Sequence, residues 1–155
     1  MIHGVELKKL TAHRDARGFL FEILRGSDKI KADGQKFGQV YMSACYPSVI
    51  KGKHMHKQQT DHLTIVSGNG VIHLHDTRES SPTKGEKMAV DAGEKNLVLV
   101  KIPPEVWHSI ENTGTQTILF LNYVTREYNS KEPDEFRSEF DLKDKRMPTE
   151  PNSVG

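Results

Sequence analysis

Several features that would tie the chain to a membrane, a nucleic acid or an oxidising compartment are missing from its 155 residues. Its 22 Lys and Arg residues against 21 Asp and Glu residues leave a net charge of +1, which excludes a strong field that would draw nucleic acid or an anionic membrane. No apolar run approaches the roughly 20 residues that span a bilayer, and residues 1–10 lack the apolar region of a signal peptide. A single cysteine, Cys45, excludes an internal disulfide and favours a cytoplasmic protein with a reduced thiol.

The composition and the pattern of apolar residues predict one globular domain, residues 1–155, of all-β structure. A hydrophobic fraction of 35% and a charged fraction of 28% are typical of a folded chain, and the length suits a single domain. Many short strands separated by turns predict a sandwich or barrel. The predicted strands are Phe19–Leu24, Gln39–Cys45, His62–Val66, Val71–Leu74, Leu97–Ile102 and Thr117–Val124.

Shorter features refine this prediction. Asn69-Gly70 favours a two-residue hairpin turn, because both residues tolerate positive φ. Pro133–Phe140 is the candidate for a short C-terminal segment, helical or irregular. Residues from Asp141 to Gly155 carry many charges and few apolar side chains, and we interpret them as a tail that is mobile or docks on a partner subunit. His73 and His75 are expected to face solvent, with the far end of the barrel as the alternative.

The chemistry concentrates in two polar segments. His54 and His56 lie two residues apart, so a strand would present both imidazoles on one side. Asp61 follows after a polar stretch that allows the chain to turn back, and His108 comes much later in the sequence. Three imidazoles and a carboxylate suit one divalent transition metal, Zn, Ni, Fe or Mn. The alternative for the two neighbouring histidines is a hydrogen-bonded pair at a strand end.

These segments resemble the two motifs of the cupin family. After His54-x-His56 come four residues, Asp61, six residues and Gly68, while Pro103, His108 and Asn112 follow the spacing of the second motif. Asp61 stands in place of the family's Glu, and Glu105 in place of its Gly. The resemblance implies a jelly-roll barrel, the cupin double-stranded β-helix, with His54, His56, Asp61 and His108 at the metal-ligand positions.

A closer resemblance, over roughly Val5 to Phe140, is to the dTDP-4-dehydrorhamnose 3,5-epimerase family. It implies a small homodimeric enzyme that acts on nucleotide-diphosphate-linked 4-keto-hexoses in polysaccharide or deoxysugar biosynthesis, without an organic cofactor. Six pieces, in the family's order, carry it: Asp15–Glu22, Phe37–Ser43, Lys51–His54, Asp76–Gly85, Ile102–His108 and Tyr128.

The same resemblance implies roles for individual residues. Epimerisation beside a ketone needs a base, a group that stabilises the enolate and an acid on the opposite face. His54 would be the base, Lys51 the cation near the enolate and Tyr128 the acid. Ordinary alternatives are a surface ion pair of Arg17 with Asp15 and a Tyr128 that merely packs. The implied substrate-binding residues are Arg17, which would pair with the diphosphate, Glu22, Gln39, Lys51 and His108.

The sequence also departs from the epimerases, which leaves alternatives open. It lacks their C-terminal aspartate that orients the base, and Asp61 falls near the position of their lysine. Asp61 would then either orient His54 or complete a metal site with His56 and His108. A His54 nitrogen that binds metal cannot accept a proton, so these options conflict in part. The alternatives to an epimerase or keto-isomerase are a metal-dependent cupin of another reaction class, an oxygenase or phosphosugar isomerase, and a non-catalytic sugar-binding cupin.

Overall fold

The computed structural model describes residues 1–30 and 36–138, which form strands, turns and irregular chain without a helix. No helix in these residues is therefore long and apolar enough to cross a membrane. The strands are β1 (Glu6–Lys9), β2 (Ala12–Asp15), β3 (Gly18–Phe21), β4 (Gln39–Cys45), β5 (Ile50–Met55), β6 (Asp61–Ser67), β7 (Asn69–Asp76), β8 (Lys87–Gly93), β9 (Val98–Ile102), β10 (Val106–Glu111), β11 (Ile118–Val124) and β12 (Phe136–Arg137).

The strands form two five-stranded sheets and a separate hairpin. The first sheet has the order β1-β9-β6-β11-β4 and the second the order β12-β5-β10-β7-β8, while β2 pairs only with β3. Every described pair is antiparallel. The prediction of an all-β fold is therefore confirmed.

The hydrophobic core fills the space between the sheets. In β11, burial alternates with period two, so that Ile118, Phe120, Asn122 and Val124 are buried while the residues between them are only half-buried. The core joins side chains such as Ile65 and Val100 of the first sheet to Ile72, Leu74 and Ile110 of the second. Where the inward positions become polar, on β4, β5, β6, β10 and β11, the sandwich holds the candidate site.

The predicted hairpin turn at Asn69-Gly70 is wrong. Both residues belong to β7, and the strand before it, β6, lies in the other sheet. The chain crosses between the sheets at Gly68, whose φ of 77° is a left-handed value. A Cβ there would lie 2.7 Å from Cγ2 of Ile118, so the corner requires glycine. The chain does turn next to Asn69-Gly70, but the turn joins the two sheets and does not form a hairpin within one sheet.

The C-terminal segment is irregular with a short strand, and not helical, over the described residues 133–138. Phe136 pairs with Met55 and Arg137 with His54, which adds β12 to the edge of β5. Unpaired backbone groups of that edge offer hydrogen bonds that outweigh the weak helical signal. The predicted tail from Asp141 to Gly155 lies outside the described residues.

His73 does not face solvent, contrary to expectation. It is 6% exposed, and its Nε2 lies 2.8 Å from Oε2 of Glu111 on the neighbouring β10. Cys45 is buried at the end of β4, and the cytoplasmic location inferred from a lone reduced cysteine stays a prediction.

Candidate active site

Two histidines meet across neighbouring strands of the second sheet. His54 on β5 lies opposite His108 on β10, and their ring centroids are 4.5 Å apart. The strand pairing shifts here, since Gly52 and Lys53 both have positive φ, 102° and 60°. A Cβ at Gly52 would lie 3.2 Å from the His108 carbonyl oxygen, so glycine permits the close approach of the two strands.

The four residues predicted from the cupin motifs converge. Asp61 begins β6 of the facing sheet and is 1% exposed, while His56 follows directly after β5. One ligand atom from each of His54, His56, Asp61 and His108 lies within 4.8 Å of the other three. The segment between His56 and Asp61 thus carries the chain from one sheet to the other. This agrees with the prediction that the polar stretch turns the chain back toward the histidines.

Backbone carbonyls orient two of these imidazoles. Nδ1 of His108 donates to the Val106 carbonyl at 3.0 Å, and Nδ1 of His56 donates to the Asp134 carbonyl. Because a carbonyl oxygen only accepts, each Nδ1 carries a proton, and Nε2 is the ring nitrogen that is turned toward the cluster. Both Nε2 atoms are buried and without a hydrogen-bond partner among the described residues. They face Oδ2 of Asp61, at 3.2 Å from His108 and 3.7 Å from His56.

Neutral amides complete the surroundings of Asp61. Nε2 of Gln59 donates to Oδ1 at 2.7 Å, and Nδ2 of Asn122 donates to Oδ2 at 3.0 Å. Burial by itself raises the pKa of Asp61, but His108, His56 and Asn122 outweigh it and hold the pKa well below its usual range. The close contacts of Asp61 are with His56 and His108 and not with His54, so the geometry favours the second of the two roles considered for this aspartate.

His54 opens into a small cavity of about 90 Å³ that it shares with Tyr41, Lys51 and His108. Burial, together with the neighbouring His108 and His56, lowers the pKa of His54 to about 3, so its imidazole is neutral at neutral pH. Nζ of Lys51 donates to Oγ of Ser43 at 2.6 Å and to the Ala44 carbonyl at 3.1 Å. The lysine charge is thus anchored to β4 beside the cavity.

A larger cavity of about 760 Å³ adjoins the first, and Tyr41 lines both. Gln39 and Tyr128 line it as well, and the Tyr128 backbone N–H donates to Oε1 of Gln39 at 3.0 Å. The Tyr128 side chain is 61% exposed. Tyr128 and Gln39 therefore line the larger cavity and not the small cavity at His54.

Arg17 and Glu22 lie apart from both cavities within this chain. Arg17 sits in the turn of the β2–β3 hairpin, with a side chain 89% exposed that pairs with Asp15 at 2.6 Å. Glu22 pairs with Arg25 just after β3. A substrate-binding role for Arg17 or Glu22 then requires that the hairpin reach the site of another copy.

Sequence reasoning missed several polar residues of the site. Asp134 accepts three backbone N–H groups, from residues 57, 58 and 59, and so fixes the turn after His56. Asn122 and Tyr41 occupy inward positions of strands, where a polar residue in an alternating apolar pattern is a signal that could have been read. Asp134 carried no such signal, because its partners are backbone groups more than 70 residues away.

A sequence profile for the polysaccharide biosynthesis C-terminal domain matches residues 13–136, which is most of the chain. The chain belongs to this family. The match includes both histidine segments and the hairpin that carries Arg17.

Individual relatives of this polysaccharide biosynthesis domain agree. The chain is 38% identical to the spore coat polysaccharide biosynthesis protein SpsL of Bacillus subtilis, over 91% of each chain. It is 35% identical to the probable low-salt glycan biosynthesis epimerase Agl13 of Haloferax volcanii, over 90% of this chain and 89% of the relative.

A solved structure, the dTDP-4-dehydrorhamnose 3,5-epimerase of Sulfolobus tokodaii, superimposes with a TM-score of 0.78 at 25% identity, over 96% of this chain and 83% of that one. The resemblance to the 3,5-epimerases and the jelly-roll fold are thereby confirmed.

Proposed function

We propose that this chain is an isomerase that epimerises a nucleotide-diphosphate-linked 4-keto-hexose in polysaccharide or deoxysugar biosynthesis. The relatives and the shared fold support the class of reaction. The observation that carries the proposal is the neutral, half-buried His54 in a cavity that shares the lining residue Tyr41 with a larger one. Open cavities also argue against a non-catalytic cupin, in which side chains would fill the pocket.

His54 is the base of the proposed reaction. A neutral imidazole accepts the proton of the carbon next to the ketone. The negative charge then moves to the ketone oxygen, where a fixed donor or positive charge is worth most. Lys51 contributes charge at the edge of the cavity, and Tyr128 returns a proton from the side of the larger cavity.

The residues present fit a divalent transition metal. Two buried Nε2 atoms face a carboxylate oxygen, and these contacts are favourable only where a proton or a cation lies between the groups. Ligands held about 2.0–2.2 Å from one ion lie roughly 3–3.6 Å apart. The two Nε2–Oδ2 distances here are 3.2 and 3.7 Å, and all four ligand atoms lie within 4.8 Å of one another. His56, Asp61 and His108 would hold the ion, with His54 as a fourth ligand only where it does not act as the base. A bound metal would supply positive charge near the ketone oxygen.

We also propose a homodimer. The β2–β3 hairpin pairs with no other described strand and exposes Phe19 and Leu20, which are 51% and 61% exposed. The edge strand β4 exposes Val40 and Met42, 55% and 61% exposed. Covering an apolar edge with a partner's hairpin would bury both surfaces and bring Arg17 and Glu22 to a site. Light scattering at micromolar concentration tests this, and a monomer would contradict it.

The test of the function is solvent exchange. The purified protein is incubated in heavy water with a panel of nucleotide-linked 4-keto-hexoses, and deuterium is located by carbon. We expect deuterium and inversion at a carbon next to the ketone, and a loss of about 10²–10⁴-fold in His54→Ala. Metal analysis of the same variant separates the two roles, because a mere ligand would lose metal and activity together. The absence of exchange with every sugar would contradict the proposal.

A further inference from the structure

We propose that the Tyr41 hydroxyl is a catalytic group that donates to the substrate's ketone oxygen and stabilises the enolate; this inference rests on the proposed epimerase function. The residue was not singled out by either family resemblance. Three observations support it: the position of Tyr41 between the two cavities, its hydrogen bond with Asn122, and the less suitable positions of Lys51 and Tyr128.

The position of Tyr41 puts it in the path of any substrate that reaches His54. The cavity at His54 measures about 90 Å³, well below the roughly 300 Å³ of a typical ligand pocket. A sugar attached to a nucleotide must therefore extend into the neighbouring cavity of about 760 Å³. Tyr41 is the described residue that lines both cavities, so a sugar that extends from one to the other would pass its ring.

The hydrogen bonds of Tyr41 leave its proton free. Its phenol oxygen accepts from Nδ2 of Asn122 at 2.9 Å, and the same Nδ2 donates to Oδ2 of Asp61 at 3.0 Å. The carboxylate only accepts, which fixes the orientation of the Asn122 amide. No acceptor for the Tyr41 hydroxyl proton is found in residues 1–30 and 36–138. The amide thus holds the phenol oxygen in place while the O–H bond is available to a ligand.

The other candidate donors are less well placed. The Lys51 ammonium already donates to Ser43 and to a backbone carbonyl, and the Tyr128 side chain is mostly in solvent. A donor that is prearranged in a desolvated site stabilises developing charge more than one that must reorganise. Burial, followed by the negative charge of Asp61, raises the pKa of Tyr41, so the phenol keeps its proton at neutral pH.

The reaction needs only proton transfers, with no oxidant, reductant or other co-reactant. The C–H bond next to the ketone breaks, and its proton moves to His54. The electron pair forms the enolate double bond, and the charge on the oxygen is held by the hydrogen bond from Tyr41. Return of a proton to the carbon restores the ketone, so Tyr41 donates a hydrogen bond throughout and is neither consumed nor oxidised.

Tyr41→Phe tests the proposal, because it removes one oxygen and keeps the ring that packs against the core. We expect deuterium exchange and inversion to fall together by about 10²–10³-fold, the usual loss for one oxyanion donor. Metal content and melting temperature should stay at wild-type values. Tyr128→Phe should instead still exchange while inversion stalls. Tyr46→Phe, at a tyrosine 69% exposed after β4, is the matched control and should react at the wild-type rate.

Each outcome separates the two proposals. Wild-type exchange in Tyr41→Phe would overturn the role of Tyr41 and leave the epimerase function intact. Exchange retained with inversion lost would also overturn it, because Tyr41 would then be the reprotonating acid. A wild-type protein that exchanges no 4-keto-hexose would overturn both.

Discussion

Two buried aspartates, Asp76 and Asp61, show how differently one fold treats the same side chain. Asp76 is fully buried, and Nε and Nη2 of Arg78 donate to its two oxygens at 2.8 Å each. The hydroxyls of Ser81 and Thr83 donate at 2.5 and 2.6 Å. A permanent cation and two hydroxyls thus satisfy the carboxylate, and the group ties the β7–β8 connection to the body of the sandwich.

Asp61 contacts no arginine or lysine in the part of the chain that the structure describes. Its partners among the described residues are the amides of Gln59 and Asn122 and the ring nitrogens of His56 and His108. A buried charge without a fixed counter-charge is costly, so such a group persists where a proton, a metal or a ligand provides the missing charge. We therefore interpret Asp76 as a stabilising group and propose that Asp61 is a functional one.

The largest expected effect is on stability at Asp76. Asp76→Ala leaves the Arg78 guanidinium, with a side chain only 15% exposed, without its carboxylate. We expect the free energy of unfolding to fall by about 3–5 kcal/mol, the usual cost of breaking a buried ion pair. Denaturant titration measures it. As a control, Glu79→Ala breaks an exposed pair with Lys84 and should not shift the unfolding midpoint.

The pH dependence of that difference gives a second readout. Burial by itself raises the pKa of Asp76, but the hydrogen bonds from Arg78, Ser81 and Thr83 outweigh it and hold the pKa below its usual range. Such a group stabilises the fold above its unfolded pKa of about 3.9, and the contribution is lost as the pH falls through the folded value. The gap between wild type and Asp76→Ala should shrink below about pH 4. A constant gap at lower pH would contradict an ionised Asp76.

The opposite pattern is expected at Asp61. Asp61→Asn should lower the affinity for added Zn or Ni by more than roughly 100-fold. Losing a direct metal ligand costs more than losing a residue that only hydrogen-bonds to a ligand, for which the loss is about 10–100-fold. The metal-free protein should lose far less stability than in Asp76→Ala, because the carboxamide keeps the shape and its oxygen can still accept from Gln59 or Asn122. Calorimetric metal titration and denaturant unfolding measure the two. A loss of stability as large as at Asp76, with metal binding unchanged, would make Asp61 a structural group.

A smaller effect on metal affinity is expected at Asp134, which contacts His56 and the turn after it but is not itself one of the four candidate ligands. Asp134→Ala frees the three N–H groups of residues 57–59 and loosens the carbonyl that orients His56. We expect metal affinity to fall by about 10-fold, the lower range for an outer partner. Glu132→Ala, in the same loop, is the control. Equal affinities in the two variants would show that the turn does not set His56.

The smallest effect is expected at Asp15, which repeats the Asp-x-Arg pattern of Asp76 on the surface. Within one chain its pair with Arg17 is exposed, so Asp15→Ala should leave the unfolding midpoint unchanged at protein concentrations too low for the proposed dimer. A clear shift of the midpoint would show that the hairpin is buried, for instance against a second copy.

Much of the site was predictable from motif spacing. Strand spacing predicted that His54 and His56 share a side, and the cupin resemblance placed Asp61 and His108 with them. The strand Gln39–Cys45 was predicted with its observed bounds. The hairpin at Asn69-Gly70 was not predictable in this way, since a local turn signal does not say whether the next strand continues in the same sheet.

The sequence by itself determined the all-β architecture, because short strands and turns follow from periodicity. The convergence of the four metal-type ligands and the reaction class were implied by the resemblance of its motifs to known families. Only the tertiary structure decided which partner each carboxylate has. Asp15-Ala-Arg17 and Asp76-Thr-Arg78 are the same pattern, yet one is a surface pair and the other is buried. Long-range contacts likewise decided that Asp61 lies against His56 and His108 and that Tyr41 lines both cavities. The physical reason is that burial, and hence the cost of a charge, is a property of the packed sheets and not of the local chain.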